Sequence, residues 1–292
     1  MSISIPELTA VRARHPEAIA EAAARRVRRP LIGDSGRLMI VAADHPARGA
    51  LGVGDRPLAM ADRGDLLERL CVALSRPGVD GVLGTADIVE DLLLLGALEN
   101  KVVMCSMNRG GLAGASFELD DRFTGYRAED IARLRFDAGK TLTRIDYDDP
   151  GSLTTLEATA RAVDALAALR LPAFVEPFIS RRIDGKVRND LSAEAVSRSV
   201  AIASGLGGTS AYTWLKLPVT DNPDDMAQAL ETSTLPVVLL GGEIGDDQQG
   251  AYERWGKALR LPTVRGLVVG RSLLYPAEGS VETAVDTAVG LL

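Results

Sequence analysis

The sequence is poor in the side chains that most metal and redox chemistry needs, with two histidines and two cysteines in 292 residues. His15 and His45 are too few for a three-histidine zinc site, and no Cys/His group has metal-ligand spacing, so neither a metal nor another cofactor is expected. Cys71 and Cys105 fall in a predicted helix and a predicted strand, which reads as two buried thiols and not as a disulfide or redox pair. Long apolar runs are also missing. No stretch approaches the roughly 18 residues that span a bilayer, and the opening MSISIPELTA lacks the basic-then-apolar order of a signal peptide, so the expectation is a cytoplasmic protein with no membrane partner. Positive charge is in deficit. A net charge of −7 and a pI near 5.1 repel nucleic acid and anionic membranes, so any anionic ligand must be held by a local cluster. The one basic run, RRVRRP from Arg25 to Pro30, reads as the end of an N-terminal helix that begins near Pro6, its cations solvated at the negative end of the dipole. His15, within that helix, is expected at the surface. Absent too is a Gly-x-Gly-x-x-Gly after the first strand: ADHPARGALGVGD has the wrong spacing and opens no helix, and GLGGTS at Gly205–Ser210 reads as a helix stop before a strand.

Against these absences, 46% of the residues are hydrophobic and 25% charged, enough to bury a large core. Short runs rich in Val, Ile and Leu alternate with amphipathic segments, the order of βα units around a parallel sheet. The runs predict strands over Arg37–Asp44, Val79–Leu83, Lys101–Ser106, Lys140–Asp146, Pro172–Phe178, Ala211–Leu217, Leu235–Leu240 and Val264–Val269. Between them, GDLLERLCVALSR, ADIVEDLLLLGALE, SLTTLEATARAVDALAALR and SAEAVSRSVAIASGL repeat apolar residues three and four apart, as helices do. Eight such units in about 250 residues predict an α/β fold, a single (β/α)8 TIM barrel over residues 37–292 with an N-terminal helical extension over 1–36. An open, doubly wound sheet is the alternative. No linker, low-complexity tract or tandem repeat marks a second domain.

In such a barrel the site is built where the strands end. Asp44 ends the first strand, Ser106 and Asn108 the third, Arg144 and Asp146 the fourth, Glu176 the fifth and Lys216 the sixth. In AYTWLKLPVT the two-residue period puts Tyr212, Trp214 and Lys216 on one face and Thr213, Leu215 and Leu217 on the other. The leucine face suits the outer helices, so Lys216 points inward. Desolvation and neighbouring cations would lower its pKa from about 10.4 toward neutrality, leaving an amine able to attack a carbonyl; a lysine held in a stabilising ion pair is the other reading. Glu176 in AFVEPF is placed for proton transfer, or to neutralise Lys216 or Lys140. Asp44 is placed to orient a substrate hydroxyl, or to accept from a loop amide, and neighbouring His45 is a further candidate. Lys140, Leu142, Arg144 and Asp146 share a face, so an inward Lys140 carries Arg144 with it and adds a second cation beside Lys216; alternatively, Lys140 lies at the far end of its strand.

The last two strands carry a different signal. The seventh runs into Gly241-Gly242 and the eighth into Gly270-Arg271, followed by the short segment RSLLYP. Glycines let the backbone approach an anion, amides at a helix start bind phosphate, and Arg271 adds a charged fork. NRGGLAGASFELDDRFTGYRAED, after the third strand, is either a substrate-covering loop with Asn108 and Arg109 in reach or a packing excursion.

Four motifs together resemble the class I, Schiff-base-forming aldolases: the tagatose-bisphosphate and archaeal-type fructose-bisphosphate aldolases, related to deoxyribose-phosphate aldolase. VAADHPARGAL resembles the first-strand Ala-Asp-x-Arg-Gly or Asp-His-Gly element of that group, FVEPF its fifth-strand acid, WLKLP its sixth-strand lysine, and LLGGE with VVGRSLL its phosphate site. The resemblance spans about Arg37 to Pro276. It implies Lys216 as the Schiff-base nucleophile, Glu176 as the acid/base, Asp44 as a site carboxylate, Lys140 as the inward fourth-strand lysine, and Gly242, Gly270 and Arg271, beside Gly241, as phosphate ligands. It further implies a phosphorylated sugar substrate, metal-independent chemistry and a homo-oligomer. KTLTRIDYDDP is longer between lysine and aspartate than the tagatose-type pattern, so Arg144 or Tyr147 are alternatives to Lys140, and DHPARG carries an insertion. The expected activity is reversible cleavage of a phosphorylated ketose or keto-sugar acid. A transaldolase-like use of the same lysine, or a non-catalytic barrel that binds a phosphorylated metabolite, are the alternatives.

Overall fold

The structure, a computed structural model, describes residues 3–220, 222–242 and 247–292. Its strands are β1 Leu38–Ala42, β2 Gly81–Gly84, β3 Val102–Ser106, β4 Ala138–Ile145, β5 Ala173–Ile183, β6 Lys186–Asn189, β7 Thr213–Leu217, β8 Val237–Leu240 and β9 Val264–Val269. Its α-helices are α1 Leu8–Arg14, α2 Ala18–Arg25, α3 Arg63–Ser75, α4 Ala86–Leu94, α5 Ala128–Arg133, α6 Gly151–Ala168, α7 Ala193–Ser204, α8 Pro223–Glu231, α9 Gln248–Ala258, α10 Arg271–Leu274 and α11 Val281–Val289. All strands except β6 pair in parallel in the order β4-β3-β2-β1-β9-β8-β7-β5, and β4 also pairs with β5, which closes the ring. This is the predicted (β/α)8 barrel, and closure excludes the open sheet. Among the described residues, no helix is long and apolar enough to cross a membrane.

Alternation along each strand sorts the core into two layers. Leu38, Ile40 and Ala42 of β1, Val102 and Met104 of β3, Phe174 of β5, Trp214 of β7, Val238 of β8 and Val268 of β9 fill the barrel, with the Phe174 and Trp214 rings 5.2 Å apart. Leu215 and Leu217 face outward and pack under the helices, as the β7 pattern requires. The interior is therefore a dry plug. The next inward residues along the strands, Asp44, Ser106, Lys140, Glu176 and Lys216, must stand on top of it.

Two regions depart from the sequence reading. The fifth strand was expected to stop at Phe178, but β5 runs on to Ile183 and turns back through β6 in an antiparallel hairpin, with Ser180 opposite Asn189. Its turn is Asp184-Gly185, both with positive φ (49° and 76°), the conformation that favours Asp-Gly in two-residue hairpins. The second departure is N-terminal. The helix expected from Pro6 through RRVRRP is broken at His15-Pro16 into α1 and α2 and ends at Arg25. The arginines that follow are engaged by carboxylates, although Arg28 is still exposed. Arg26 is buried, donating to the Lys101 and Arg135 carbonyl oxygens at 2.7 and 2.6 Å and pairing with Asp137 at 3.2 Å, while Arg28 pairs with the other Asp137 oxygen and Arg29 with Asp80. Asp80 and Asp137 immediately precede β2 and β4, so the basic run closes the N-terminal end of the barrel, where buried carboxylates require cations. His15 is exposed, as expected. Cys105 is buried in β3, Cys71 is only half-buried on α3, and both thiols are free.

Candidate active site

Lys216 is the last but one residue of β7, and Phe174 and Trp214 lie beneath it in the barrel plug. Its Nζ lies 2.7 Å from Glu176 Oε1, and the residue is 5% exposed. Lys140, near the start of β4, reaches the same point: its Nζ is 2.6 Å from Glu176 Oε2 and 2.9 Å from Asp44 Oδ2. Ser106 Oγ lies 3.5 Å from that Asp44 oxygen. The register doubt over β4 is thereby resolved in favour of Lys140. Arg144 lies further up the strand, and Tyr147 is 63% exposed beyond it.

Two buried lysines, the buried Glu176 and a partly exposed Asp44 form this cluster, and their environments push the lysines apart. Burial lowers the Lys216 pKa, the Lys140 charge adds to that, and the single contact to Glu176 does not fully offset them. Lys140 is buried too, but Asp44 and Glu176 outweigh the desolvation and push it up to about 12. Glu176 and Asp44 are both lowered: against burial, which would raise them, Lys140 is the largest opposing influence on each. Lys140 is thus the fixed cation and Lys216 the amine that gives up its proton more readily. Burial also brings His45 down to about 3, so its imidazole is neutral at ordinary pH, with Nδ1 3.8 Å from Asp44 Oδ1.

These groups open into a cavity of about 630 Å³, of the size that holds a small metabolite. Gly241, Gly242, Gly270, Arg271 and Ser272 line one side of it. Gly242 has φ +71°, a left-handed backbone that glycine adopts freely. A Cβ at Gly270 would come within 2.4 Å of the Ala42 carbonyl oxygen, and one at Gly241 within 2.6 Å of Val269 Cγ1. Gly270→Ala is therefore expected to destabilise the fold by about 1–3 kcal/mol, read as a lower midpoint in thermal unfolding; an unchanged midpoint would contradict so close an approach of β9 and β1.

Not every predicted residue reaches the cavity. Asn108 is buried below it: Nδ2 donates to Asp121 Oδ2 at 2.8 Å and to the Leu142 carbonyl at 2.7 Å, and Oδ1 accepts from Leu142 N at 2.8 Å. With its carboxamide used in both directions it anchors β4 to the segment after β3 and does not line the cavity. Asp146 turns away as well, accepting from the Arg182 and Asp148 amides beneath the hairpin. Arg144 does line the cavity, but its guanidinium is held by Glu118 Oε1 at 2.7 Å and by the Gly110 carbonyl. Arg109, Arg48 and Arg188 line the same cavity. Arg48 and Arg188 were not singled out from the sequence. The first lies in the DHPARG insertion, and the second is carried by the overlooked hairpin, for which the Asp-Gly turn was the available signal.

No curated protein matches the sequence. Among solved structures, the chain is similar to Cgl0159 from Corynebacterium glutamicum (Brevibacterium flavum), with 55% identity, a TM-score of 0.94, and coverage of 99% of this chain and 97% of that one. It is also similar to an archaeal fructose 1,6-bisphosphate aldolase, at 20% identity and a TM-score of 0.64 over 94% of this chain and 98% of the other. A third is an archaeal fructose-1,6-bisphosphate aldolase with its catalytic lysine covalently bound to the carbinolamine intermediate of the substrate, at 20% identity and a TM-score of 0.61 over 94% and 97% of the two chains. The barrel thus has the fold of the Schiff-base-forming fructose-bisphosphate aldolases, in keeping with the resemblance seen in its motifs. A family model described as Cgl0159-like matches residues 36–289, from just before β1 to the end of α11, and the chain belongs to the Cgl0159-like family.

Proposed function

We propose that this chain is a class I aldolase that reversibly cleaves a phosphorylated ketose or keto-sugar acid through a Schiff base on Lys216. The observation that carries the reading is the unequal lysine pair: a buried Lys216 with a lowered pKa, in contact with Glu176, beside a Lys140 whose two carboxylate partners keep it charged. The shared fold with an aldolase that forms a carbinolamine on its lysine supports it.

The chemistry follows from the contacts. Glu176 accepts a proton from Lys216, and the neutral amine attacks the ketone carbon; the C–N bond forms as the carbonyl π pair moves to oxygen, which takes a proton. Loss of water gives an iminium. The carbon–carbon bond one position further along then breaks, its electron pair forming the enamine and neutralising the iminium nitrogen, while the hydroxyl on the departing carbon gives up its proton as the aldehyde forms. Having given its proton to the carbinolamine hydroxyl that leaves as water, Glu176 is again a carboxylate and takes this proton. Protonation of the enamine carbon and attack of water on the iminium return the ketone product and Lys216. Asp44, fixed on Lys140, holds a substrate hydroxyl, and the phosphate lies against Gly241, Gly242, Gly270 and Arg271, where backbone amides and a guanidinium can receive it.

The test is covalent trapping. The protein is incubated with a panel of ketose phosphates and phosphorylated keto-sugar acids, reduced with borohydride and digested, and a reduced adduct is expected on Lys216 within AYTWLKLPVT. No adduct with any panel member would overturn the proposal and leave Lys216 as the ion-pair partner of Glu176 in a binding protein. Product analysis with an added aldehyde acceptor separates simple cleavage from transaldolase-like transfer.

A further inference from the structure

Three apolar side chains in the cavity belong to neither layer of the core. Leu142, Phe178 and Leu240 pack on one another, are only 6 to 8% exposed and line the cavity. The two-residue period places each one step above an inward residue already described: Leu142 follows Lys140 on β4, Phe178 follows Glu176 on β5, and Leu240 follows Val238 on β8, the residue opposite Lys216. The cluster of lysines and carboxylates therefore lies between two apolar levels, the barrel plug below and this trio above. The ring runs β8-β7-β5-β4, so Leu240 stands on one side of β7 and Phe178 and Leu142 on the other. Pro218, two residues beyond Lys216 along the chain, also lines the cavity and has no donor of its own.

The trio is held in place. Asn108 Nδ2 and Oδ1 bond the Leu142 carbonyl and amide at 2.7 and 2.8 Å, and a Cβ on Gly110, whose φ is +65°, would overlap Leu142 Cδ2. Glycine alone lets the segment after β3 pack so closely on that leucine. The effect on the two amines is unequal. An ammonium carries three N–H donors, and Lys140 spends two of them on Asp44 and Glu176, whereas Glu176 is the acceptor within reach of Lys216 among the described residues. The side chains of Leu142, Phe178, Leu240 and Pro218 offer the other Lys216 donors no acceptor, and they displace the water that would serve. Desolvation without a partner penalises the charged form of an amine.

We propose that Leu142, Phe178 and Leu240 are positioning residues for Lys216: an apolar collar that keeps water from its Nζ and so favours the uncharged form that attacks a carbonyl. The use made of that amine rests on the aldolase reading; the drying of Lys216 does not. The titratable groups that face Lys216 are Glu176 from β5, Lys140 from β4, and Asp44 with His45 from the end of β1, with Arg271 beyond them after β9. Strand β8 contributes none, since it is Val237–Leu240. Substitutions in the collar leave every one of these groups in place, so a change in the behaviour of Lys216 reports its solvation.

The test reads the amine directly. The wild type, Leu240→Asn, Phe178→Tyr and the conservative Leu240→Met are acetylated briefly with acetic anhydride at pH values between about 6 and 11, digested, and scored by peptide mass at Lys216 and Lys140. In the wild type Lys216 should become reactive at lower pH than exposed lysines, and Lys140 should stay unreactive. Leu240→Asn and Phe178→Tyr bring a hydrogen-bonding group and its water to the collar, and each should move the Lys216 midpoint up by about one pH unit, while Leu240→Met should leave it unmoved. Borohydride trapping of a ketose phosphate at neutral pH should slow about tenfold in the two polar variants, because the neutral fraction of the amine falls by that factor per unit. Phe178→Tyr keeps its ring, so the test does not depend on Leu240→Asn folding. An unmoved midpoint in the polar variants, or an equal rise in Leu240→Met, would overturn the proposal. A raised midpoint in the polar variants with no borohydride adduct in any protein, wild type included, would reject the aldolase reading and leave the collar standing.

Discussion

Lys216→Met is expected to remove aldol cleavage to background, a loss of at least about 10⁴-fold in kcat, together with every borohydride-stable adduct. No neighbouring amine can substitute. Lys140 is the nearest, but Asp44 and Glu176 hold its pKa up to about 12, so at neutral pH it is a cation with no lone pair to offer. Methionine fills a similar volume, and Glu176 remains paired with Lys140, so the variant should remain folded. A variant that melts with the wild type and lacks the adduct isolates the nucleophile; residual turnover with an adduct at Lys140 would reverse the roles of the two lysines. The pH profile carries the same sign. Activity of the wild type should rise with pH as Lys216 loses its proton, at a pH below the ordinary lysine range because burial lowers that pKa.

Lys140→Met should have the second-largest effect, and on stability as well as rate. It leaves Asp44 and Glu176 buried with Lys216 as their only nearby lysine, and breaking a buried ion pair in this way costs about 3–5 kcal/mol, or on the order of 10 °C in melting temperature. Lys216 would then be held as a cation by two carboxylates, so kcat should fall by about 10²-fold or more even where the protein is folded. Proton linkage makes the stability loss depend on pH. In the wild type the Lys140 pKa is raised in the fold, so its contribution is fully present below the unfolded value near 10.4 and is lost as pH rises through about 12. Asp44 and Glu176 are lowered in the fold, so theirs is present above the unfolded values near 4 and is lost as pH falls through the folded ones. Lys216, also lowered, works the other way and weakens the fold at pH values below its unfolded pKa. Thermal melts across pH should thus show the gap between wild type and Lys140→Met at its widest between about 5 and 10, and a gap independent of pH would contradict the shared cluster.

How much of this was legible beforehand differs by residue, for physical reasons. The inward direction of Lys216 follows from strict alternation along a buried strand, because a one-residue slip would turn Leu215 and Leu217 into the barrel and break the outer packing. Glu176 is placed in the same way. Lys140 was harder, since a strand start is where propensity is least decisive, and only the parallel register, with Ser106 opposite Lys140, fixes its height. Asn108 lies outside the cavity lining because its side chain answers a buried backbone demand: the Leu142 amide and carbonyl need partners at the edge of the loop, and the carboxamide meets both. The RRVRRP run was misread for a similar reason. Charge patterns along a chain do not show which carboxylates a distant segment will bury.

The sequence by itself determined the barrel, the inward faces of its strands, and the ring level at which Asp44, Glu176 and Lys216 emerge, because these depend on local period and on a hydrophobic interior that tolerates one register. Only the tertiary structure decided which lysine has the lowered pKa, that Arg144 is bound to Glu118, and that Arg48 and Arg188 line the same cavity. Those outcomes depend on distances of a few ångströms between residues far apart in the chain, where Coulomb energy and desolvation change steeply and no sequence period records them.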